Sequence, residues 1–226
     1  MTMDFFNFGD QWEAARWTLV AISLLAANGY QMLESQPANT LRTFLKTASI
    51  SALVPLPLLS LGGDSSLVLL ALALALAFGS AGDYFLSLKD GETNTKRGIL
   101  AFLVGHIFYL VVMVPHIGAP TLLQIIDMVF VIIIAVGTCL WVSPKLGAYK
   151  MPVLIYMSVI TVMALVALTL PNPLVGLGAL LFVFSDAVIV VNQFAHPVPA
   201  RGPIVWITYY AAQCLISVSL LVMLAG

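Results

Sequence analysis

Between residues 12 and 224 the chain runs as a succession of apolar stretches separated by short turns. Each stretch is near the ~20 residues that an α-helix needs to cross a hydrocarbon core of ~30 Å. Only 8% of the 226 residues are charged and 61% are hydrophobic, whereas a soluble domain carries roughly 25% charged residues. Polar surface is too scarce to cover a globule, so lipid must solvate much of the molecule. The expected fold is all-α: a polytopic membrane protein forming a single transmembrane domain over residues 1–226. A net charge of −1 argues against a nucleic-acid partner, which calls for a basic footprint. Cys139 and Cys214 both fall inside apolar runs, which gives neither a disulfide framework nor metal-ligand spacing. Residues 1–13 are acidic and lack a basic n-region, so they do not read as a cleavable signal peptide.

Eight spans are expected, at about 12–33, 41–61, 65–88, 97–114, 121–142, 151–170, 173–194 and 203–224. Turn chemistry marks the seven connections, among them Pro37, residues 62–64, Gly91, Pro115 with Pro120, Pro144 with Gly147, and Pro171. Pro55 and Pro57 inside the second run predict a kink rather than a break. The basic residues sort by side. Arg42, Lys46, Lys89, Lys96, Arg97, Lys145, Lys150 and Arg201 lie at the first, third, fifth and seventh connections, and only Arg16 lies opposite. The positive-inside rule makes those four connections cytoplasmic and both termini non-cytoplasmic. Connections this short suit a bacterial inner membrane, and an endoplasmic-reticulum protein would look similar.

Against this apolar background the exceptions carry the information. An ionisable residue inside a span is costly and is a functional candidate by default. Five stand out: Lys46, Asp83, His106, Asp127 and Asp186. At ~1.5 Å of rise per residue, Asp83 lies about 9 Å from Lys89, His106 about 14 Å from Arg97 and Asp186 about 15 Å from His196. With Lys46, these share the cytoplasmic half of the bilayer. Asp127 enters from the other side and reads as a carboxylate near a helix N-terminus. Uncharged polar residues sit at similar depths: Asn28, Tyr109, Tyr156, Asn192, Tyr209, Tyr210 and Gln213. Spacings of i, i+3 (His106 and Tyr109) and i, i+4 (Tyr209 and Gln213) place pairs on common faces. Gly79 and Gly178, one and two turns before the aspartates, would let helices approach closely. The simplest reading is one polar cavity open toward the cytoplasmic side.

Asp83 to Asp186 is 103 residues, and so is His106 to Tyr209. That offset maps the first four runs onto the last four and predicts a 4+4 parallel repeat that sets the two aspartates opposite each other. Each residue also has a plainer reading. Lys46 can snorkel to the headgroups, His106 can be a packed, hydrogen-bonded histidine, and the tyrosines can be packing or interface residues. Two carboxylates at matched depth resemble an acid–base pair. A proton-coupled transporter or a non-catalytic lipid-binding subunit would use the same residues.

Five motifs appear in order: Gly82-Asp83-Tyr84-Phe85-Leu86, Gly105-His106-Ile107-Phe108-Tyr109, Phe182-Val183-Phe184-Ser185-Asp186, Asn192-Gln193-Phe194 and Tyr209-Tyr210-Ala211-Ala212-Gln213. The set resembles the YhhN-like lysoplasmalogenase family of eight-span membrane proteins, over nearly the whole chain after residue 17. One departure is that Lys46 is followed by Thr47, where the family usually has Lys-Pro. The resemblance implies a hydrolase that cleaves the vinyl ether bond of a lysophospholipid, the lysoplasmalogen. The products would be a fatty aldehyde and glycerophosphocholine or glycerophosphoethanolamine. No metal or organic cofactor is expected. Asp83 and Asp186 would be the catalytic acid–base pair, as paired carboxylates are in glycoside hydrolysis. Lys46, His106, Tyr109, Tyr156, Asn192, Tyr209 and Gln213 would bind the substrate, with Lys46 attracting its phosphate. The apolar tail would lie between helices against membrane lipid. Oligomeric state is not encoded in any of these features.

Overall fold

A computed structural model describes residues 6, 8, 10–61, 66–88 and 91–225. Lys89, the turn at 62–64 and seven of the first nine residues lie outside the described residues. The described residues fold into helices joined by short turns: α1 (Glu13–Leu33), α2 (Thr40–Ser51), α3 (Pro55–Leu58), α4 (Ser66–Ser87), α5 (Glu92–Met113), α6 (Leu122–Val142), α7 (Lys150–Ala167), α8 (Pro173–Phe194) and α9 (Arg201–Ala225). Local chemistry sets several of these starts. Asn39 caps α2 by accepting from the Arg42 N–H at 2.9 Å. Thr121 and Gln124 form a reciprocal capping box on α6, and Asn172 followed by Pro173 opens α8. Each device satisfies amide donors that the first turn leaves free.

The second apolar run differs from the kinked single helix that its sequence predicts. Its α-helical ladder ends at Ser51, passes through tight i→i+3 bonds at Leu53 and Val54, and resumes as the one-turn α3. The cause is local. Proline lacks an N–H and its ring clashes with the carbonyl four residues back, and Ser51 is four residues before Pro55. The Ser51 hydroxyl turns instead to Ser80 of α4, at 2.6 Å.

Among the described residues, α4 to α9 are long and apolar enough to cross a membrane. The chain is an integral, multi-pass membrane protein. The two other runs fall short for visible reasons: α1 opens with Glu13 and Arg16, and α2 is only 12 residues long. Both pack against the rest, and neighbour contacts follow a closed ring. In order around it, α1 touches α2, α2 touches α4, then come α5, α7, α8 and α9, which returns to α1. Helix α6 leans on α7 and α8 from outside and exposes Leu122, Ile126, Phe130, Ile133 and Leu140 to lipid. Close approach tightens the hairpins: a Cβ at Gly178 of α8 would meet the Ala212 carbonyl of α9 at 3.1 Å, and one at Gly105 of α5 would meet the Ala75 carbonyl of α4 at 3.0 Å. Contacts α1–α2, α2–α4 and α4–α5 have counterparts in α6–α7, α7–α8 and α8–α9, the pairing that a 103-residue offset would give.

One end of the ring is closed by a buried arginine. Arg16 donates to Asp10 Oδ1 at 2.8 Å, to the Leu59 carbonyl at 3.0 Å and to Ser60 Oγ at 3.0 Å, and it lies over the Phe8 ring. It thereby ties the first residues and the end of α3 to α1. The opposite end, where α1, α4 and α8 finish and α2, α5, α7 and α9 begin, opens into a cavity.

Candidate functional site

The cavity has a volume of about 250 Å³ and is walled by the ring helices: Lys46 from α2, Asp83 from α4, Phe102 from α5, Tyr156 from α7, Phe182 and Asp186 from α8, and Tyr209 from α9. The two aspartates predicted from the sequence thus face one hollow. Both are almost wholly buried, at 1% and 6% exposure, so their partners decide what each can do.

Those partners differ. The Asp83 carboxylate is held on both oxygens: Lys46 Nζ lies 3.2 Å from Oδ1, and the Tyr209 hydroxyl donates to Oδ2 at 2.6 Å. A cation and a hydroxyl together compensate a buried negative charge. Asp186 accepts from the Tyr156 hydroxyl on Oδ2 at 2.5 Å, and its other oxygen has no hydrogen-bond partner among the described residues. No cation pairs with it among those residues. The 103-residue correspondence places the aspartates alike and surrounds them differently.

Behind the lining, further predicted residues set these groups in place. The Tyr109 hydroxyl donates to Gln213 Oε1 at 2.7 Å, and Gln213 Nε2 donates to the Tyr209 hydroxyl at 3.4 Å. A chain of hydrogen bonds therefore runs from Tyr109 through Gln213 and Tyr209 to Asp83, crossing α5, α9 and α4. His106 packs edge-on against Phe182 and Tyr156, with ring centroids 4.7 and 5.4 Å away, and fixes the wall that presents the Tyr156 hydroxyl. Its Nδ1 lies 2.6 Å from the Phe102 carbonyl and is the protonated nitrogen, since a carbonyl can only accept. Its Nε2 is buried with no hydrogen-bond partner among the described residues. Asn192 is not brought to the cavity. Its side-chain oxygen accepts from the Val198 N–H at 3.0 Å and caps the turn between α8 and α9.

Sequence comparison bears on this cavity directly. The profile of the YhhN family matches residues 41–220, which include every cavity helix except α1. The chain belongs to the YhhN family. The lysoplasmalogenase TMEM86A of Bos taurus is 33% identical to it over 157 residues, covering 64% of this chain and 62% of that protein. Its Homo sapiens counterpart is 30% identical over 154 residues, with the same coverage. A lysoplasmalogenase of Mycobacterium tuberculosis is 28% identical over 149 residues, 63% of this chain and 57% of the relative. The matched region thus spans less than two thirds of the length of these curated relatives. No solved structure matches the chain.

In this YhhN-family chain the cavity also has residues that the sequence reading passed over as site residues: Tyr30, Glu34, Arg42, Arg201 and Trp206. In the sequence, Arg42 and Arg201 mark only the orientation of the helices. A signal was present, because Arg42 and Lys46 are i, i+4 on one helix, as are Tyr30 and Glu34. Each pair therefore shares a face.

Proposed function

We propose that this chain hydrolyses the vinyl ether bond of lysoplasmalogens, releasing a fatty aldehyde and glycerophosphocholine or glycerophosphoethanolamine. One observation carries the reading: two buried aspartates face the same cavity, and only one of them has a cation beside it. The printed names of the relatives point to the same reaction class. The substrate would be a lysophospholipid drawn from the surrounding membrane.

The chemistry follows from the two environments. An enol ether is opened by protonating its β-carbon: the double-bond electrons form the new C–H bond, and an oxygen lone pair stabilises the adjacent carbon as an oxocarbenium ion. Asp186, with a hydroxyl but no cation beside it, is the group suited to enter the cavity as the neutral acid and to give up that proton. Asp83, charge-compensated by Lys46, stays ionised, stabilises the cation and takes a proton from the water that adds to it. The resulting hemiacetal collapses when Asp83 returns its proton to the departing glyceryl oxygen and Asp186 recovers one from the hemiacetal hydroxyl. Both side chains end as they began. Tyr156 and Tyr209 orient the two carboxyls, and His106, Tyr109 and Gln213 hold the tyrosines.

The same reading makes residues 1–226 one transmembrane domain of eight spans, with α1 and the α2–α3 pair as the first two. Its basic end would face the cytoplasm and both termini the other side, in a bacterial inner membrane. Product analysis tests the reaction. Purified protein is incubated with lyso-lipids of one chain length joined by vinyl ether, alkyl ether or ester. Aldehyde from the vinyl ether alone is expected. Fatty acid from the ester, or lipid recovered unchanged from all three, would refute the assignment.

A further inference from the structure

The mouth of the cavity carries charges that the hydrolytic step leaves unused. Glu34 ends α1, Arg42 lies in the first turn of α2 and Arg201 opens α9, and all three line the opening. Arg201 is exposed, with no ion pair among the described residues. Arg42 is half-buried, and its guanidinium donates to the Glu34 backbone carbonyl and to the Tyr30 hydroxyl, each at 3.3 Å. The Glu34 carboxylate is partly buried and has no hydrogen-bond or ion-pair partner among the described residues. It rests on Gly202 of α9, in the space that a Cβ at that position would occupy. A carboxylate that shares the cavity mouth with two arginines, and is paired with neither among the described residues, matches the charges of a zwitterionic ligand.

We infer that Glu34 reads the amine of a phosphoethanolamine head group while Arg42 and Arg201 take its phosphate, so that ethanolamine lyso-lipids are preferred over choline ones. This rests on the lyso-lipid reading above and adds a specificity residue to it. The choice between the two amines comes from the aromatic rings. A quaternary ammonium has no N–H and is bound through free aromatic faces. At this mouth Tyr30 already carries Arg42 at 5.4 Å and Lys46 at 5.9 Å from its ring centre. Trp206 is flanked by Tyr30 at 4.2 Å and Tyr210 at 5.9 Å. A primary ammonium instead donates N–H bonds to a carboxylate, and Glu34 is the carboxylate available.

The test uses binding, which does not depend on cleavage. Dissociation constants are measured in detergent for alkyl-ether lysophosphoethanolamine and lysophosphocholine of equal chain length. Wild type should bind the ethanolamine lipid about tenfold more tightly, the worth of one charge-assisted hydrogen bond. Glu34→Gln should abolish the preference. So should Gly202→Ala, which keeps the charge but displaces it and carries the test if the first variant does not fold. Arg201→Gln should weaken both lipids alike. Equal wild-type affinities, or a preference that survives in both Glu34→Gln and Gly202→Ala, would overturn the inference. Vinyl ether analogues are assayed in parallel. Absence of cleavage with the binding preference intact would remove the hydrolase reading and leave the head-group assignment standing.

Discussion

Lys46 is the residue that makes the two aspartates unequal. It touches Asp83 and lies on the rim of the cavity, 15% exposed. Removing it would leave a buried carboxylate without compensation, a change that costs on the order of 3 kcal/mol when one partner of a buried pair is lost. Lys46→Met is therefore expected to lower thermal stability in detergent and to cut aldehyde release. The double variant Lys46→Met with Asp83→Asn should regain most of the stability and none of the activity. Recovery of activity in the double variant would mean that neither charge takes part. The residues that matter at this scale were visible in the sequence when they broke an apolar run: Asp83, Asp186, His106 and Lys46 each did. Glu34, Arg42 and Arg201 were not, because charge at the end of a span is ordinary and signals only orientation. Asn192 misled for a related reason. A polar side chain near a helix end competes for loose backbone donors, and Asn192 spends its oxygen on Val198.

At the scale of elements, the hairpins α4–α5 and α8–α9 carry the aspartates and set their spacing. Both depend on glycine at the crossing, and the neighbour at Gly178 includes main chain, which cannot rotate away: the Ala212 carbonyl at 3.1 Å. Gly178→Val should force α8 from α9 and cost about 1–3 kcal/mol, typical of overpacking. It should also disturb the cavity wall that holds Asp186. Thermal unfolding and aldehyde release read the two effects, and an unchanged melting temperature would contradict the packing described. Helix positions were legible from apolar run length, and Gly79, one turn before Asp83, and Gly178, two turns before Asp186, foretold close crossings. The division of the second run was less legible. A single proline in a membrane helix is often absorbed as a kink. Here Pro55 and Pro57 together withdraw two donors within one turn, and the ladder stops at Ser51.

At the scale of the whole molecule, a ring of helices pinned at one end by Arg16 and open at the other converts a few buried polar residues into one chamber. The ring order could not be read from the sequence, because apolar faces are interchangeable partners when lipid is as apolar as the helix surface. The repeat offset supplied the juxtaposition of Asp83 and Asp186, yet not the asymmetry of their partners, which comes from residues on three other elements: Lys46 of α2, Tyr156 of α7 and Tyr209 of α9. The account stands on that asymmetric pair acting across one hollow. The most direct test is aldehyde release from a lysoplasmalogen by folded Asp83→Asn and Asp186→Asn proteins in liposomes. General acid–base groups contribute roughly 10²–10⁴-fold to a rate, so each variant should lose that much of kcat while still binding the alkyl-ether lipid. Wild-type kcat in either variant would contradict the paired-carboxylate mechanism.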